Sequence, residues 1–474
     1  MIRVLVNHSD QIQRIRTKLK AAQKADGKLK VFGAKYHKYK IGRPASEREV
    51  CAFEERYSIV LPGCYRSFLT GVGNGGPSYV GSAAGPFYGI YPLGESVNEI
   101  VENPALFLNK PVSIEPDMTD EKWAALTKRF HDDGGLSEVE YQEELGKTYS
   151  GLLPLGSQGC TYLHALVLNG PQEGRVLNLD LDGRSWHFAF ESNFLDWYER
   201  WLDEVIAGYL MQDGAPPFGR TMGGDDVHLM RVFSDADDHK TRLEALKGLA
   251  KLVTASEESC GKLLELCSEG DAEMRHFALG MLTKFAYPMA REPLHRHIVG
   301  DDDNCLVACR SIYSYARQQS KEWDELLRSR LPTVNTPKTF QFLSFLLVQS
   351  SVDFNFREQS SVDFSEDFRP FCTHQNEEIR VTAFHSLGRL KNKKGLVELF
   401  IVGLDDVSAR VVHTTLQALA GIRDKRLLKA YVRVLDRFKT DECHILTNLE
   451  NRLKEMGIES IEKFHSKYGF LSHG

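Results

Sequence analysis

Leu61-Pro62-Gly63-Cys64-Tyr65-Arg66-Ser67-Phe68-Leu69, continuing through Gly71-Val72-Gly73-Asn74-Gly75-Gly76 to Gly85-Pro86-Phe87-Tyr88-Gly89, decides how the first half of this chain is read. Pro62 suits the first turn of a helix, where a missing N–H costs nothing. Tyr65, Phe68, Leu69 and Val72 fall at i, i+3, i+4 and i+7, one helical face. Gly71 and Gly73 end that helix, and Asn74-Gly75 makes a turn. Helix, glycine turn and a second glycine-rich approach to a strand therefore follow in order.

Outward from this stretch, Ser46 is an N-cap with Glu49 three residues on, the capping-box pattern. Val50, Phe53 and Tyr57 continue that helix at helical intervals. Ile12, Ile15 and Leu19 predict an earlier helix over residues 10–24, with Lys and Arg on its other side. Residues 31–42 mix aromatic and basic residues and predict a strand or an extended arm. Downstream, Val97, Ile100 and Val101 predict a helix between Ser96 and Phe107. Residues 111–150 read as an insertion, with a short amphipathic helix around Trp123, Leu126 and Phe130, broken at Asp132-Asp133-Gly134-Gly135. A second, exposed acidic helix follows, around Glu138, Glu140, Glu143 and Glu144. From residue 152 the pattern switches to strands. Tyr162–Leu168, Arg175–Leu179 and Trp186–Phe190 are separated by Asn169-Gly170-Pro171 and Asp182-Gly183, an antiparallel meander with tight turns. Phe194–Ile206 returns to helix. Helices and a meander without βαβ alternation give an α+β domain.

The motifs together resemble the Smi/Knr family, the SUKH superfamily. Glu54-Glu55-Arg56-Tyr57, Leu61-Pro62, Tyr65-Arg66-Ser67-Phe68-Leu69, Gly73-Asn74-Gly75-Gly76, Gly85-Pro86-Phe87-Tyr88-Gly89 and Tyr91-Pro92-Leu93 stand in the family's order. Leu153-Pro154-Leu155-Gly156, Gly159-Cys160 and the closing Phe194-Leu195-Asp196-Trp197-Tyr198 with Trp201-Leu202 follow. The resemblance covers roughly residues 12–210. It implies a non-catalytic binding protein. Bacterial members of this kind are typically cytoplasmic immunity proteins that neutralise the toxin domain of a delivered effector; fungal members resemble regulators of cell-wall synthesis. The motif residues Tyr65, Phe68, Asn74, Gly75, Gly76, Gly85, Pro86, Tyr88, Gly89, Gly159, Trp197 and Trp201 are then fold-shaping positions or a binding surface. Trp197 and Trp201, four apart on one helix face, read as core packing, with an aromatic anchor as the alternative. Glu138, Glu140, Glu143 and Glu144 are a contact for a basic toxin groove on charge grounds alone.

Gly214-Ala215-Pro216-Pro217-Phe218-Gly219 through Asp226 reads as a linker, dividing a first domain at 1–212 from a second at 227–474, with 213–226 between. Beyond it, Arg242-x-x-Ala245-Leu246-x-x-Leu249 recurs from Arg275 and again from Arg380, and Ala245, Ala278 and Ala308 are spaced by 33 and 30 residues. Polar turns such as Asp235–Asp238, Gly270-Asp271 and Asp301–Asp303 precede the copies. Paired helices at this period resemble HEAT repeats. The expected architecture is an α+β SUKH-like domain, an antiparallel sheet with helices, followed by an all-α HEAT-like solenoid. Residues 351–370 depart from the repeat, with Phe354, Phe356, Phe364 and Phe368 in a polar, non-periodic loop. The solenoid supports a second function, a scaffold or adaptor.

Composition sets limits. A net charge of −6 points to neither nucleic acid nor an anionic membrane. The basic stretch 1–50 reads as a solvated helix and loop surface. No apolar run reaches spanning length, and the first residues lack the form of a secretory signal. Nine irregularly spaced cysteines predict reduced thiols in a cytoplasm. The run Gly71-x-Gly73-x-Gly75-Gly76 follows a helix C-terminus, the wrong dipole end for phosphate. Asp180-Leu181-Asp182-Gly183 lacks the ligands and closing Glu of a calcium loop and reads as a hairpin turn. His295-Arg296-His297 and Cys305-x-x-x-Cys309 have metal-like spacing but no repeated short pairs. Neither cofactor nor metal is expected. Cys160 or Cys64 with His164 or His187 is the remaining enzymatic alternative. The expected partner is a protein; the sequence leaves the oligomeric state open.

Overall fold

The computed structural model describes residues 8–131, 135–182, 185–212, 214–269, 271–349, 363–440 and 444–469. The chain forms two compact units, Met1–Ala255 and Ser256–Gly474. The first holds helices α1 (Ser9–Ala25), α2 (Ala34–His37), α3 (Glu47–Tyr57), α4 (Gly63–Gly71), α5 (Asp120–His131) and α6 (Glu138–Thr148). Strands β1 (Leu152–Gly159), β2 (Tyr162–Val167), β3 (Val176–Asp180) and β4 (Ser185–Phe188) follow, then α7 (Phe194–Ile206), α8 (Asp226–Asp235) and α9 (His239–Gly248). The four strands form one antiparallel meander in chain order.

Side chains alternate across a strand, and here both faces are apolar. Leu153, Leu155, Leu166 and Val176 pack with α1, α3, α4 and α7 in one core. Leu152, Leu163, Ala165, Val167, Leu177 and Leu179 face a second core with Ile100, Val101, Ile114, Tyr149 and Trp123. Through Val112, Ile114, Trp123, Leu145 and Tyr149, the described part of 111–150 therefore covers the sheet's second face rather than forming a peripheral insertion; the Trp123 ring lies 6.1 Å from that of Trp186. Val97, Ile100 and Val101 are buried as their spacing implied, but 96–107 forms turns and one short 3-10 segment at Pro104–Leu106, not an α-helix. Burial without a helical backbone comes from local turns, Glu95 N–H to Pro92 O and Glu99 N–H to Ser96 O, ahead of Pro104. Residues 31–42 likewise hold no strand; α2 is a single helical turn inside a loop.

Helix starts follow the sequence closely. Ser46 and Glu49 form the reciprocal capping box of α3, and Ser137 and Glu140 form another on α6. Glu54 accepts Leu61 N–H at 2.8 Å and pairs with Arg66 at 2.6 Å. One carboxylate thus ties α3 to the start of α4, a physical reason for an acid ahead of the Leu-Pro step.

The stretch expected as a linker lies inside the first unit. Phe218 is buried, its ring 5.7 Å from Trp197 and under the Arg200 guanidinium. Lys251 donates to Met222 O at 2.6 Å, and Gln212 to Lys251 O at 3.0 Å. Arg200 meets Glu204 at 2.9 Å and Glu191 at 2.7 Å in this buried cluster. These ties hold α8 and α9 in the same compact unit as the sheet. Asp213 and Gly183 lie outside the described residues, as do Asp132, Asp133 and Gly134.

The second unit is helical: α10 (Glu257–Glu269), α11 (Ala272–Phe285), α12 (Tyr287–Ile298), α13 (Asp302–Tyr315), α14 (Asp324–Arg330), α15 (Pro337–Gln349), α16 (Ser365–Phe368), α17 (Glu377–Gly388), α18 (Val397–Leu404), α19 (Ala409–Ala418), α20 (Leu427–Arg437), α21 (Ile445–Glu455) and α22 (Ile461–Tyr468). Each of α11, α13, α15, α17 and α19 packs on the next odd-numbered helix; α10 packs on α12, α12 on α14, α18 on α20 and α20 on α22. The polar turns ahead of each sequence copy are N-caps: Asp271, Asp301, Asn376 and Ser408 accept backbone N–H groups of the helices they start. Ala278, Ala308 and Ala383 are fully buried. Phe364 and Phe368, expected in a polar loop, are also fully buried, because α16 turns them inward. Phe354 and Phe356 lie outside the described residues. Among the described residues no helix is long and apolar enough to cross a membrane.

Candidate functional site

The glycine motif builds a crossing of loops. Gly89 has φ +102°, and a Cβ there would sit 2.0 Å from Ala83 O; a Cβ on Gly156 would sit 2.1 Å from Gly89 O. Only glycine admits these backbones so closely. The approach lets Tyr88 N–H and Tyr91 N–H donate to Ser157 O and Leu155 O, at 3.3 and 2.7 Å. The Gly85–Tyr91 loop therefore covers the free edge of β1, which would otherwise be open to pairing. Asn74 clamps the crossing: its Oδ1 accepts Leu93 N–H at 2.8 Å and its N–H donates to Arg43 O. Gly75 and Gly76 lie against Pro92 and Ser82 O, Gly85 against Ile90, and Gly159 under the Tyr88 ring; Pro86 is buried. These motif residues shape backbone.

Tyr65, Phe68, Trp197 and Trp201 are buried at 2% exposure or less. They are core and offer no binding surface. Their spacing on α4 and α7 marks the helix faces turned to the sheet, and Phe194 interlocks the two helices edge-on with Tyr65 and Phe68.

Tyr88 is different. Its half-buried ring is the centre of an aromatic surface: Phe32 lies 5.4 Å away, Tyr36 5.4 Å and Tyr79 6.1 Å. Phe32, Tyr36 and Tyr79 are 57%, 56% and 57% exposed, and Val80 beside them 41%. Such a group of large apolar side chains marks an interaction site. Phe32 and Tyr36 come from the loop between α1 and α3, which is held rigidly. Buried Asp26 accepts Lys30 N–H at 2.6 Å, Val31 N–H at 3.1 Å and the Tyr39 hydroxyl at 2.8 Å. Burial, then the bond to Asp26, pushes the Tyr39 phenol far up. His37 Nδ1 accepts Tyr39 N–H at 3.0 Å, which puts the ring proton on Nε2; the ring stands edge-on to Trp201. Burial pushes His37 down to about 4, so it is neutral. Leu29, Lys38 and Tyr39 all have positive φ, a concentration of strain of the kind found at functional sites. Gly33 seats this loop on Phe87, where a Cβ would meet Phe87 O.

Sequence reasoning missed Phe32, Tyr36 and Tyr79. The available signal was the interleaving of aromatic and basic residues over 31–42. The basic stretch 1–50 also divides. Arg14 and Lys18 of α1 pair with Glu199 at 2.9 Å each, and Lys18 with Asp203 at 2.7 Å. Lys28, Lys30, Lys35, Lys38 and Lys40 remain exposed on the segment that carries Phe32 and Tyr36.

The acidic helix α6 is largely occupied. Glu140 is bound in its capping box and held below the usual carboxylate range by the Ser137 backbone and hydroxyl. Glu144 pairs with Arg129 at 2.7 Å and Lys147 at 3.0 Å, Glu143 with Lys147 at 3.0 Å, and Glu138 accepts from Gln142. The four carboxylates share one helix, yet three are neutralised or engaged in capping.

The thiol alternatives are also placed. Cys64 is buried, faces Gly174 O at 3.8 Å, and burial raises its pKa. Cys160 is exposed at the β1–β2 turn. His164 is fully buried, its Nδ1 3.0 Å from Asn178 Oδ1, and burial drives it down to about 3. Burial, first among its surroundings, also lowers His187. Among the described residues no group of three or more His, Cys, Asp or Glu is placed to hold a metal ion.

Residues 44–200 match the family model described as SMI1 / KNR4 family (SUKH-1). Tyr79 and Tyr88 lie within the matched segment; Phe32 and Tyr36 lie before it. No curated protein matches the chain. Among solved structures, an engineered protein of the Northeast Structural Genomics Consortium is 15% identical, over 50% of this chain and 98% of that one, with a TM-score of 0.23. The complex of CpcE and CpcF of phycocyanin lyase from Nostoc sp. PCC7120 is 14% identical, over 55% of this chain and 89% of that one, with a TM-score of 0.18. Scores this low establish no shared fold.

Proposed function

We propose that this chain is a non-catalytic protein-binding protein of the immunity type, which docks on a toxin effector domain in the cytoplasm and neutralises it. The observation that carries this reading is the group of exposed Phe32, Tyr36 and Tyr79 around half-buried Tyr88, in the unit whose residues 44–200 match the SUKH-1 family model. Aromatic anchors dominate the energetics of protein interfaces. A non-catalytic role is supported by Cys64, whose buried thiol is pushed toward the unreactive form. The test is a pull-down from the native host with the full chain, followed by co-expression of any retained toxin-like protein. One retained partner whose toxicity is suppressed by the chain establishes the reading; retention of no protein sinks it.

A scaffold of HEAT type, or a regulatory role of the Smi/Knr kind, is the second reading. It is favoured by the successive packing of α11, α13, α15, α17, α19 and α21. Repeated helix pairs present extended surfaces to partners. Retention of several host proteins, none of them toxic when expressed alone, favours that reading.

A further inference from the structure

We infer that the surface formed by Phe32, Tyr36, Tyr79 and Tyr88 takes an acidic protein segment with an aliphatic side chain at its centre. This rests on the protein-binding reading above and names its partner's chemistry.

Three observations carry it. First, the two segments that carry the rings have charge of one sign, and Glu99, a carboxylate outside them, is engaged by Tyr91. No Asp or Glu occurs between Gly27 and Ser46 or between Arg56 and Gly94, the two segments that build the surface. Lys28, Lys30, Lys35, Lys38 and Lys40 are all exposed in the first of them. Asp26, just before it, is buried and engaged by three donors. Complementary potential selects an acidic partner and speeds its approach.

Second, ring geometry favours protein over single-stranded nucleic acid. Bases stack on open ring faces set along a groove. Here Phe32 meets Phe87 at 65° and Tyr88 at 74°, edge to face, and Tyr36 tilts at 56° to Tyr88. The rings meet one another edge to face, and Val80, next to Tyr79 in the chain, is exposed as well. Such a surface gives a leucine or methionine side chain apolar contact without the row of open parallel faces that planar bases use.

Third, the surface is preorganised. Asp26, His37 and Gly33 fix the loop that carries Phe32 and Tyr36, while Gly89 and Gly156 fix Tyr88. Little ordering entropy is then lost on docking.

The test measures fluorescence anisotropy with labelled probes on the full chain. The probes are a short peptide with two leucines flanked by glutamates, the same peptide with lysines for the glutamates, and an oligo(dT) of similar length. The glutamate peptide is expected to bind about tenfold or more tightly than the lysine peptide, and less tightly as salt rises. Tyr36→Ala with Tyr79→Ala, and separately Lys28→Glu with Lys35→Glu, are each expected to weaken it about tenfold. All four side chains are exposed, and unchanged thermal melts of the variants show that folding is kept. Equal binding of both peptides, preference for oligo(dT), binding that survives both double substitutions, or no binding of any probe overturns the inference. A host protein retained equally by the wild type and Tyr36→Ala/Tyr79→Ala leaves the protein-binding reading standing and removes this surface from it. Probe binding as expected with no host protein retained does the reverse.

Discussion

The two units solve the problem of close packing differently. In the first, segments far apart in the chain meet backbone to backbone: Gly89 against Ala83 and Gly156, Gly33 against Phe87, Gly42 against Asn74. In the second, capped helices lie side chain to side chain on near successors, with buried alanines where they approach. Sensitivity to mutation should therefore sit in loops in the first unit and on helix faces and caps in the second.

The largest effect that can break this comparison is at Gly89. Gly89→Ala adds a Cβ at positive φ into a backbone oxygen and is expected to cost about 3 kcal/mol or more. Urea unfolding followed by tryptophan fluorescence reads it well, because Trp123, Trp186, Trp197 and Trp201 are all in the first unit. A loss below 1 kcal/mol would remove the claim that backbone proximity sets this unit's tolerance.

Acid comes next. His37 and His164 are neutral in the folded chain, pushed down to about 4 and about 3 by burial, while the unfolded chain titrates near 6.5. The unfolded state binds more protons below that value. Stability is therefore full above pH ~6.5 and falls as pH drops toward the folded values, by on the order of 2 kcal/mol per histidine at pH 5. Equal denaturation midpoints at pH 7 and pH 5 by the same fluorescence would contradict this.

In the second unit, Asp301→Ala removes the cap that accepts Asn304 N–H at 2.8 Å. It should cost about 1 kcal/mol, read by circular dichroism at the second transition if the units melt separately. Gly261, inside α10 with open space around it, offers the matched control to Gly89. Gly261→Ala is expected to stabilise by up to about 1 kcal/mol, and a destabilisation would show that the helical unit shares the first unit's dependence on glycine. Smallest of all, Glu143→Lys on exposed α6 should change stability by less than about 0.5 kcal/mol and leave binding to the glutamate peptide unchanged.

Local signals were readable and remote ones were not. Ser46 and Glu49 mark a helix start within four residues, and Phe194–Ile206 carries its own amphipathic period, so both elements were legible directly. Three of the four strands were legible because alternation and the Asn169-Gly170 and Asp182-Gly183 turn signals are short-range; β1, with Pro154 inside it, was not read as a strand of the meander. Val97, Ile100 and Val101 show the limit of periodicity: burial was correctly implied while the helix was not formed, since turns can bury the same three side chains. Phe364 and Phe368 show the converse, a polar neighbourhood that hides two buried rings. The candidate surface was half legible. Tyr88 lay in a motif, but Phe32 and Tyr36 were set in a segment without periodicity, and nothing local says that Gly33 brings it onto Phe87.

From sequence alone came the α+β domain, its order of motifs, the helical second half and the polar turns ahead of its helices. Each is encoded by residues within a turn or two of one another. Tertiary structure alone decided that Ile114, Trp123 and Tyr149 cover the second face of the sheet and that Phe218 and Thr221 pack against α7. It also set which charges are available. Arg14 and Lys18 of α1, and Glu143 and Glu144 of α6, are engaged in ion pairs, whereas the lysines between α1 and α3 are left exposed on the segment that carries Phe32 and Tyr36. Pairing of charges and crossing of backbones depend on distances between residues far apart in the chain, which a linear pattern does not contain.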